Sequence, residues 1–375
     1  MMAPPEAKIV LAVFPDTTVS RPMVEALGFS GGTRVVSLGE YADLKLVYEA
    51  GTPEATADQL LFELANPDVV LVIGHESSTT VLHLLETVYA TKSNRPIPLV
   101  LPAVTNPAVL RRQSPGKGHI LRIPAADNEQ VETIAEFVKS ISAAKKKENA
   151  KATVTLLVDE SNPAYSNYIT KELVPQLGPV EVVDSLGVGL MAEGFDPARL
   201  LSAKPGIVVF IGMEVQADIF LRRVKASGIR LWHDDGDDDG DSEGLVLIFT
   251  DGTAGDVFDA VRQQILGEGE SIFLTGPFSV PSDCGKGDLV SSFPDYAGLS
   301  RTALDVAEEL ISEAKNSGDV SRKSVLQALR NKLGASVEVA GARFNKDGEN
   351  IRGTEHVFQL TRSQIFHAQF CPCDR

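Results

Sequence analysis

The sequence predicts an α/β protein with mostly parallel sheets and enough chain for two domains. Short apolar runs alternate with helical segments along most of the length. The runs are rich in Val, Ile and Leu with little polar alternation, as in strands that are covered on both faces. The chain has 375 residues, of which 43% are hydrophobic, and so it can bury more than one core.

The strand-like runs and the helices between them can be placed in order. Strands are predicted at 9–14, 35–36, 69–74, 98–102, 153–158, 180–183, 206–212 and 244–250. Helices are predicted at 56–64, 79–90, 128–142, 166–177, 197–203, 215–227 and 257–266. A Pro- and Gly-rich connection at 276–295 leads to a helical pair, 296–314 and 322–333, and then to a strand-like tail. This alternation favours parallel sheets with right-handed crossovers.

Net charge and the lengths of the apolar runs exclude some classes of function. The net charge is −16, which argues against binding to nucleic acid or to an anionic membrane surface. No run approaches the roughly 18 apolar residues of a membrane helix, so direct membrane insertion is not expected. No export signal is visible, which predicts a periplasmic location if a leader was removed and a cytoplasmic one otherwise.

Neither a metal nor a cofactor is expected. Cys371 and Cys373 lack the spacing of a zinc site, and Cys284 stands alone. The acidic segment from Asp234 to Glu243 only loosely resembles a calcium loop and is interpreted as a solvated insertion. The chain shows no nucleophile elbow and no phosphate-binding loop, which favours a binding protein over an enzyme.

Two hydroxyl-rich turns are the most informative local feature. One follows the strand ending at Gly74 and contains Ser77 and Ser78; the other is Ala103-Val104-Thr105-Asn106-Pro107. Each precedes a helix, whose first amide groups lack partners within the helix. Such turns favour a small anion, for example a carboxylate. His75 lies in the first turn, where a structural role is the stronger interpretation than acid–base catalysis.

The order of these motifs resembles the type I periplasmic binding proteins, in particular the leucine/isoleucine/valine-binding branch and the receptor-family ligand-binding domains. The resemblance rests on 72–78 and 103–107, on 119–123 with 127–130, on Val158-Asp159 with Tyr165-Ser166, on 206–228, on 249–252 and on 343–348. It implies two doubly wound lobes joined by three crossings, with lobe 1 at 1–123 and 277–335 and lobe 2 at 124–276 and 336–375. It further implies a ligand between the lobes and closure by a hinge.

The resemblance also implies ligand contacts residue by residue. In lobe 1 the carboxylate of the ligand would meet Ser78 and Thr105, with help from Ser77, Thr79 and Ala103. Val104 is an extra residue in the second turn relative to the family pattern, and plain helix capping is the competing interpretation.

In lobe 2 Tyr165 would close over the ligand, with Tyr168 as the alternative. Asp251 would pair with an ammonium group, and Glu214 could supply that charge instead. Met213 stands where the branched-chain binders carry an aromatic residue, and it could contact an apolar part of the ligand.

The expected function is therefore that of a binding protein for an amino acid or a related carboxylate, as part of an ABC-type uptake system with a permease as partner. A cytoplasmic ligand-sensing regulator on the same fold and a ligand-free interaction module remain alternatives, because a fold does not determine a function.

Overall fold

The computed structural model describes residues 7–17, 20–89, 96–113, 118–146, 153–159, 162–178, 181–187, 206–233, 244–278, 289, 296–335 and 338–368. The chain forms two compact units. Unit 1 comprises Met1–Ala126 and Tyr296–Thr354, and unit 2 comprises Asp127–Asp295 and Glu355–Arg375. The chain therefore passes from one unit to the other three times.

The described strands form one sheet in each unit. They are β1 (Lys8–Phe14), β2 (Val35–Leu38), β3 (Ala42–Tyr48), β4 (Val69–Gly74), β5 (Leu99–Leu101), β6 (Ile120–Arg122), β7 (Thr153–Val158), β8 (Glu181–Gly187), β9 (Ile207–Ile211), β10 (Val246–Phe249), β11 (Ser271–Gly276), β12 (His356–Thr361) and β13 (Ile365–His367). The sheet of unit 1 has the order β2-β3-β1-β4-β5-β6, and that of unit 2 the order β13-β12-β11-β10-β9-β7-β8.

The described helices connect these strands and cover the sheets. They are α1 (Ser20–Ala26), α2 (Pro53–Leu64), α3 (Ser78–Leu84, continued by a π-helix over Leu85–Tyr89), α4 (Ala108–Arg111), α5 (Asp127–Lys146), α6 (Pro163–Gln176), α7 (Glu214–Ala226), α8 (Asp256–Ile265), α9 (Ala297–Asn316) and α10 (Arg322–Lys332). Among the described residues, no helix is both long enough and apolar enough to cross a membrane.

Burial explains why the apolar runs form central strands. Every residue of β4 and β9 is buried, as expected for strands with a covering layer on each face. In unit 2 the ring of Phe273 on β11 lies 5.5 Å from that of Trp232, which packs against the same core. The antiparallel strand β12 extends this sheet beyond β11.

The two doubly wound sheets agree with the predicted fold class, with antiparallel additions at their edges. β2 pairs antiparallel with β3, and β12 and β13 are antiparallel in unit 2. The strands β3, β6 and β11 were not predicted as strands. β3 alternates buried and partly buried residues instead of forming a continuous apolar run, because its neighbour β2 is an exposed edge strand.

The third crossing differs from the predicted boundary. The prediction assigned 336–354 to lobe 2, whereas the described part of this segment belongs to unit 1. There the backbone N–H of Arg122 donates to the carbonyl of Gly348, and the side chain of Asn350 donates to the carbonyl of Ile123. The segment therefore pairs with the end of β6. The second crossing also lies later than the predicted 276/277 boundary, since the ring of Phe278 lies 6.1 Å from that of Phe358 on β12.

Some predicted features lie outside the described residues. They are the helix at 197–203, the acidic segment 234–243 and the three cysteines.

Candidate functional site

The two predicted ligand-binding turns of unit 1 lie at the same edge of its sheet. β4 ends at Gly74 and its parallel neighbour β5 ends at Leu101. The Oγ of Ser78 accepts a hydrogen bond from the backbone N–H of Asn106 at 3.4 Å, which joins the two turns. Ser78 is 4% exposed and Thr105 is 3% exposed. We call this group of residues the serine–threonine corner: Ser77, Ser78, Thr79, Ala103 and Thr105.

Helix capping and the link between the turns fall to different side chains. Ser77 is the N-cap of α3, and its Oγ accepts from the N–H of Thr80 at 3.5 Å. Asn106 accepts from the N–H of Ala108 at 2.9 Å and so opens α4. Ser78, in contrast, uses its oxygen to hold the second turn. The competing capping interpretation therefore applies to Ser77 and Asn106 more than to Ser78.

His75 is part of the support beneath this corner. Its Nδ1 lies 2.7 Å from a carboxylate oxygen of Glu49 and its Nε2 lies 2.8 Å from the hydroxyl of Tyr89. Burial, together with the charge of Glu49, raises the pKa of Tyr89 well above 10.0. Because His75 is fully buried with both ring nitrogens engaged, it fixes the first turn in place.

Arg122 supports the second turn. Its Nη1 donates to the carbonyl of Thr105 at 2.9 Å, and its Nη2 donates to Glu349 at 2.5 Å. The side chain of Arg122 is 1% exposed and that of Glu349 is 29% exposed, so the guanidinium is a buried charge whose partner reaches solvent. The guanidinium thus links the backbone of Thr105 to the hairpin at 343–351, which follows α10.

In unit 2 two of the predicted residues contact each other. The hydroxyl of Tyr165 donates to the carboxylate of Asp251 and also lies 3.1 Å from Oε1 of Gln130. Gln130 donates to the same carboxylate at 3.0 Å, as does the backbone N–H of Gly252 at 3.0 Å. Burial, and then the nearby charge of Asp251, raise the pKa of Tyr165 well above 10.0.

Met213 lies beside the same turn. Its backbone N–H donates to Asp159 at 2.9 Å, and its sulfur accepts from the side chain of Asn162 at 3.7 Å. A Cβ atom added to Gly252 would lie 3.2 Å from the sulfur of Met213. The structure therefore brings Met213, Tyr165 and Asp251 to the carboxyl ends of neighbouring parallel strands, where open α/β sheets bind ligands.

Glu214 has a different environment from these three residues. Its Oε1 accepts from the backbone N–H groups of Val257 at 2.8 Å and Phe258 at 3.0 Å, so it caps the first turn of α8. Burial raises its pKa even though the two N–H groups act in the opposite direction. A Cβ on Gly255 would lie 2.2 Å from Oε1 of Glu214, so a larger residue there would displace this carboxylate.

The sequence did not predict Glu355, an acid at the same edge of the unit 2 sheet as Asp251. Glu355 directly precedes β12, whose first residue His356 pairs with Gly276 at the end of β11. Burial, followed by the charges of Asp251, Asp127 and Glu129, raises the pKa of Glu355 well above 4.5. We call Asp127, Asp251 and Glu355 the acidic cluster. Residues so distant along the chain leave no local spacing signal, and only the fold brings them together.

Glu355 leads to a prediction about stability and pH. The folded protein holds the proton of Glu355 more tightly than the unfolded chain, whose carboxyl has the ordinary pKa of 4.5. Raising the pH above 4.5 therefore lowers the free energy of unfolding, by up to about 1.4 kcal/mol per pH unit, until Glu355 ionises in the folded state. The variant E355Q lacks this loss, so its melting temperature should exceed that of the wild type by a margin that grows from pH 5 to pH 8.

Thermal melts of E355Q and of a matched variant, E268Q, check this prediction. Glu268 is an exposed acid of the same unit, so E268Q should follow the wild type at every pH. A constant offset between E355Q and the wild type across the pH range would contradict it.

Among the residues that the structure describes, no group of His, Cys, Asp or Glu side chains is arranged to hold a metal ion. No protein family profile matches the chain, and no curated protein sequence matches it.

Solved structures do match over almost the whole length. A leucine-binding protein from Thermotoga maritima has a TM-score of 0.71 at 17% identity, covering 96% of this chain and 98% of that one. A branched-chain amino acid ABC transporter protein from Thermus thermophilus with bound valine has a TM-score of 0.70 at 14% identity, covering 97% and 96%. A solute-binding protein from Rhodopseudomonas palustris in complex with 3,4-dihydroxybenzoic acid has a TM-score of 0.67 at 15% identity, covering 97% and 96%.

These similarities concern the backbone, since the identities are low. They extend over almost the whole chain and so include both units. The chain has the fold of the type I periplasmic binding proteins.

Proposed function

We propose that this protein binds a small solute that carries a carboxylate, an amino acid or a related acid, and delivers it to an ABC-type uptake system. The observation that carries the proposal is the serine–threonine corner. Two strand-end turns are joined there by the hydrogen bond from Asn106 to Ser78, and hydroxyl groups lie beside the start of α3.

The chemistry of the corner suits a carboxylate. Hydroxyl groups and backbone amides at a helix start stabilise an anion without a full positive charge. This matters in a chain with a net charge of −16, which has no general attraction for anions. The compounds named for the similar structures, valine, benzoate and 3,4-dihydroxybenzoic acid, all carry a carboxylate.

In unit 2 we propose that Tyr165, Met213 and Asp251 contact the remainder of the solute, with Met213 against an apolar part. Glu214 was also predicted as a ligand contact. Its carboxylate is engaged by the N-terminus of α8, so we assign it a supporting role.

An uptake role places the protein outside the cytoplasm with a membrane permease as partner. It also predicts binding without chemistry, so the solute should be recovered unchanged after incubation with the protein.

A thermal-shift screen against the proteinogenic amino acids, their deaminated acids and benzoates tests the proposal. A solute at 100 times its dissociation constant should add about 2.7 kcal/mol to the free energy of unfolding, a shift of several degrees. If none of these carboxylates shifts the melting temperature, the proposal is wrong.

Substitutions in the corner should weaken binding of the solute found in that screen. T105V keeps the shape of the side chain and removes its hydroxyl, and S78A removes the other hydroxyl. Hydrogen bonds to a charged group are worth about 1.5–3 kcal/mol, so each variant should bind roughly tenfold to 150-fold more weakly in a calorimetric titration.

The control for this measurement is S300A. Ser300 is a fully buried serine of unit 1 on α9, a helix that contributes no residue to the corner. S300A should keep the wild-type affinity. Equal affinity of T105V, S78A and the wild type would contradict the assignment of the corner.

A further inference from the structure

A cavity of about 380 Å³ lies beside α1 in unit 1, and we call it the α1 cavity. It is lined by Leu46 and Tyr48 near the end of β3, by residues of α1 and by the turn that precedes β2. It shares no residue with the serine–threonine corner, which lies at the ends of β4 and β5, and β1 separates β3 from β4 in the sheet. The volume is in the range of small-molecule sites, so the α1 cavity is a second candidate site.

Two guanidinium groups line the α1 cavity. Arg21 lies in α1, Arg34 directly precedes β2, and both side chains are exposed. Neither forms an ion pair with a carboxylate among the described residues. The chain has 51 acidic and 35 basic residues, so most of its surface repels anions. Two arginines without an acidic partner in one cavity therefore indicate a local site for an anion.

Tyr48 orients one of these arginines. The central guanidinium carbon of Arg34 lies over the ring of Tyr48, 5.0 Å from its centre. The backbone of Arg34 is fixed as well, because its carbonyl accepts from the N–H of Leu46 at 2.8 Å. A guanidinium that lies over an aromatic ring keeps the N–H groups at its edge available for an anion. Arg34 is thus held in place before any ligand binds.

The turn from Ser30 to Thr33 adds neutral donors to the same cavity. The N–H of Thr33 donates to the carbonyl of Ser30 at 3.0 Å, and Gly31 and Gly32 between them have φ angles of +59° and +82°. A Cβ at either glycine would meet no atom within 4 Å, so there is open space beside the turn. Guanidinium, hydroxyl and amide groups are the donors from which phosphate oxygens accept hydrogen bonds.

The remaining lining limits what can be attached to the phosphate. Val24, Phe29 and Leu46 are buried apolar residues and suit a ring. Glu25, one helical turn beyond Arg21, is the acid among the described lining residues. Its carboxylate repels a phosphate but can accept a hydrogen bond from a hydroxyl or amino group of the attached part.

We propose that the α1 cavity binds a phosphate monoester whose organic part contains a ring. The guanidinium groups of Arg21 and Arg34 would pair with the phosphate, the turn from Ser30 to Thr33 would add hydrogen bonds, and the ring would pack against the apolar lining. A phosphate monoester carries a charge of about −1.5 to −2 at pH 7, which two guanidinium groups can offset. This site does not depend on the carboxylate site of the corner.

Matched compounds test this proposal. AMP and adenosine differ only in the phosphate, as do phenyl phosphate and phenol, while glycerol 3-phosphate carries the phosphate without a ring. Inorganic phosphate tests for an unspecific anion site. Calorimetric titration at pH 7.5 would compare the wild type, R21Q, R34Q and the control R352Q. Arg352 is an exposed arginine of unit 1 outside the lining of the cavity, so R352Q makes the same change of charge elsewhere.

We expect AMP or phenyl phosphate to bind the wild type and R352Q with equal affinity. R21Q and R34Q should each bind that ester at least tenfold more weakly, because each loses hydrogen bonds to a charged group. R34K keeps the charge but loses the planar fork, and it should show a loss of the same order. The unphosphorylated compounds and glycerol 3-phosphate should bind at least tenfold more weakly than the ester with a ring.

Two further measurements separate a local loss from a general one. Because Arg21 and Arg34 are exposed, R21Q and R34Q should melt close to the wild-type temperature. Both should also keep the wild-type affinity for the carboxylate solute, since neither residue belongs to the corner. A fall in melting temperature that accompanies and accounts for the loss of ester binding would overturn the assignment of these two arginines.

Several results would contradict the proposal. They are the absence of binding by both ring esters, equal ester affinity in R21Q, R34Q and the wild type, and inorganic phosphate that binds as tightly as the esters. A last arm uses vesicles of phosphatidylcholine with phosphatidic acid, whose headgroup is also a phosphate monoester. Sedimentation of the protein with these vesicles, without binding of either soluble ester, would identify a lipid as the source of the phosphate and overturn the proposal.

Discussion

Replacing Gly74 with alanine is expected to unfold unit 1. Gly74 ends β4 with a φ of +134°, and an added Cβ would lie 2.1 Å from the backbone carbonyl oxygen of Val13. Val13 belongs to β1, which pairs with β4 in the centre of the sheet, so its backbone cannot move aside without breaking that pairing. The free energy of unfolding should fall by more than roughly 4 kcal/mol, a loss typical of severe steric disruption.

A second glycine separates the clash from the backbone strain. Gly28 also has a positive φ, +93°, but a Cβ there would meet no atom within 4 Å. G28A should therefore cost only about 1–2 kcal/mol, the strain of a left-handed residue. Urea denaturation followed by far-ultraviolet circular dichroism measures both variants. Similar losses for G74A and G28A would show that β1 and β4 are not packed as closely as described.

Removal of the Arg122 side chain is the second large effect expected. R122A would leave the carboxylate of Glu349 and the carbonyl of Thr105 without their donor, at a site where the guanidinium is 1% exposed. Glu349 is 29% exposed and keeps a hydrogen bond from Asn345, so the expected loss is that of a hydrogen bond to a charged group, about 1.5–3 kcal/mol. Since the same side chain holds the second turn of the serine–threonine corner, solute affinity should fall along with stability.

An exposed ion pair of the same hairpin region provides the control. Arg352 pairs with Glu338, and the two side chains are 55% and 43% exposed. R352A should change the free energy of unfolding by about 1 kcal/mol or less. Calorimetric melts of R122A and R352A give the comparison. A loss in R122A no greater than that in R352A would mean that Arg122 is not a structural element of the corner.

The sequence was sufficient to predict most of the described central strands and the long helices. The continuous apolar runs at β4, β7 and β9 leave little choice of structure. β3 was missed because its residues alternate, and β11 because Ser271 and Thr275 interrupt its apolar character while remaining fully buried. Both polar residues of β11 lie in a sheet interior that the sequence alone does not reveal.

The candidate site was predictable where neighbouring residues carry the signal. Ser77 and Ser78 follow a strand and precede a helix within a few residues, and the structure places them at the start of α3. Glu355 had no such signal. Its environment depends on the start of α5 and on the turn after β10, which meet it only in the folded unit. The same limit applies to Glu214, whose capping partners lie more than 40 residues further along the chain.

The position of the single tryptophan allows the unfolding of the two units to be distinguished in one experiment. Trp232 belongs to unit 2 and lies against Phe273, so its fluorescence emission reports the core of that unit. Far-ultraviolet signals instead sum over both units. When the two transitions are followed in the same titration, a change of emission that lags behind the loss of helix signal would identify unit 1 as the part that unfolds first.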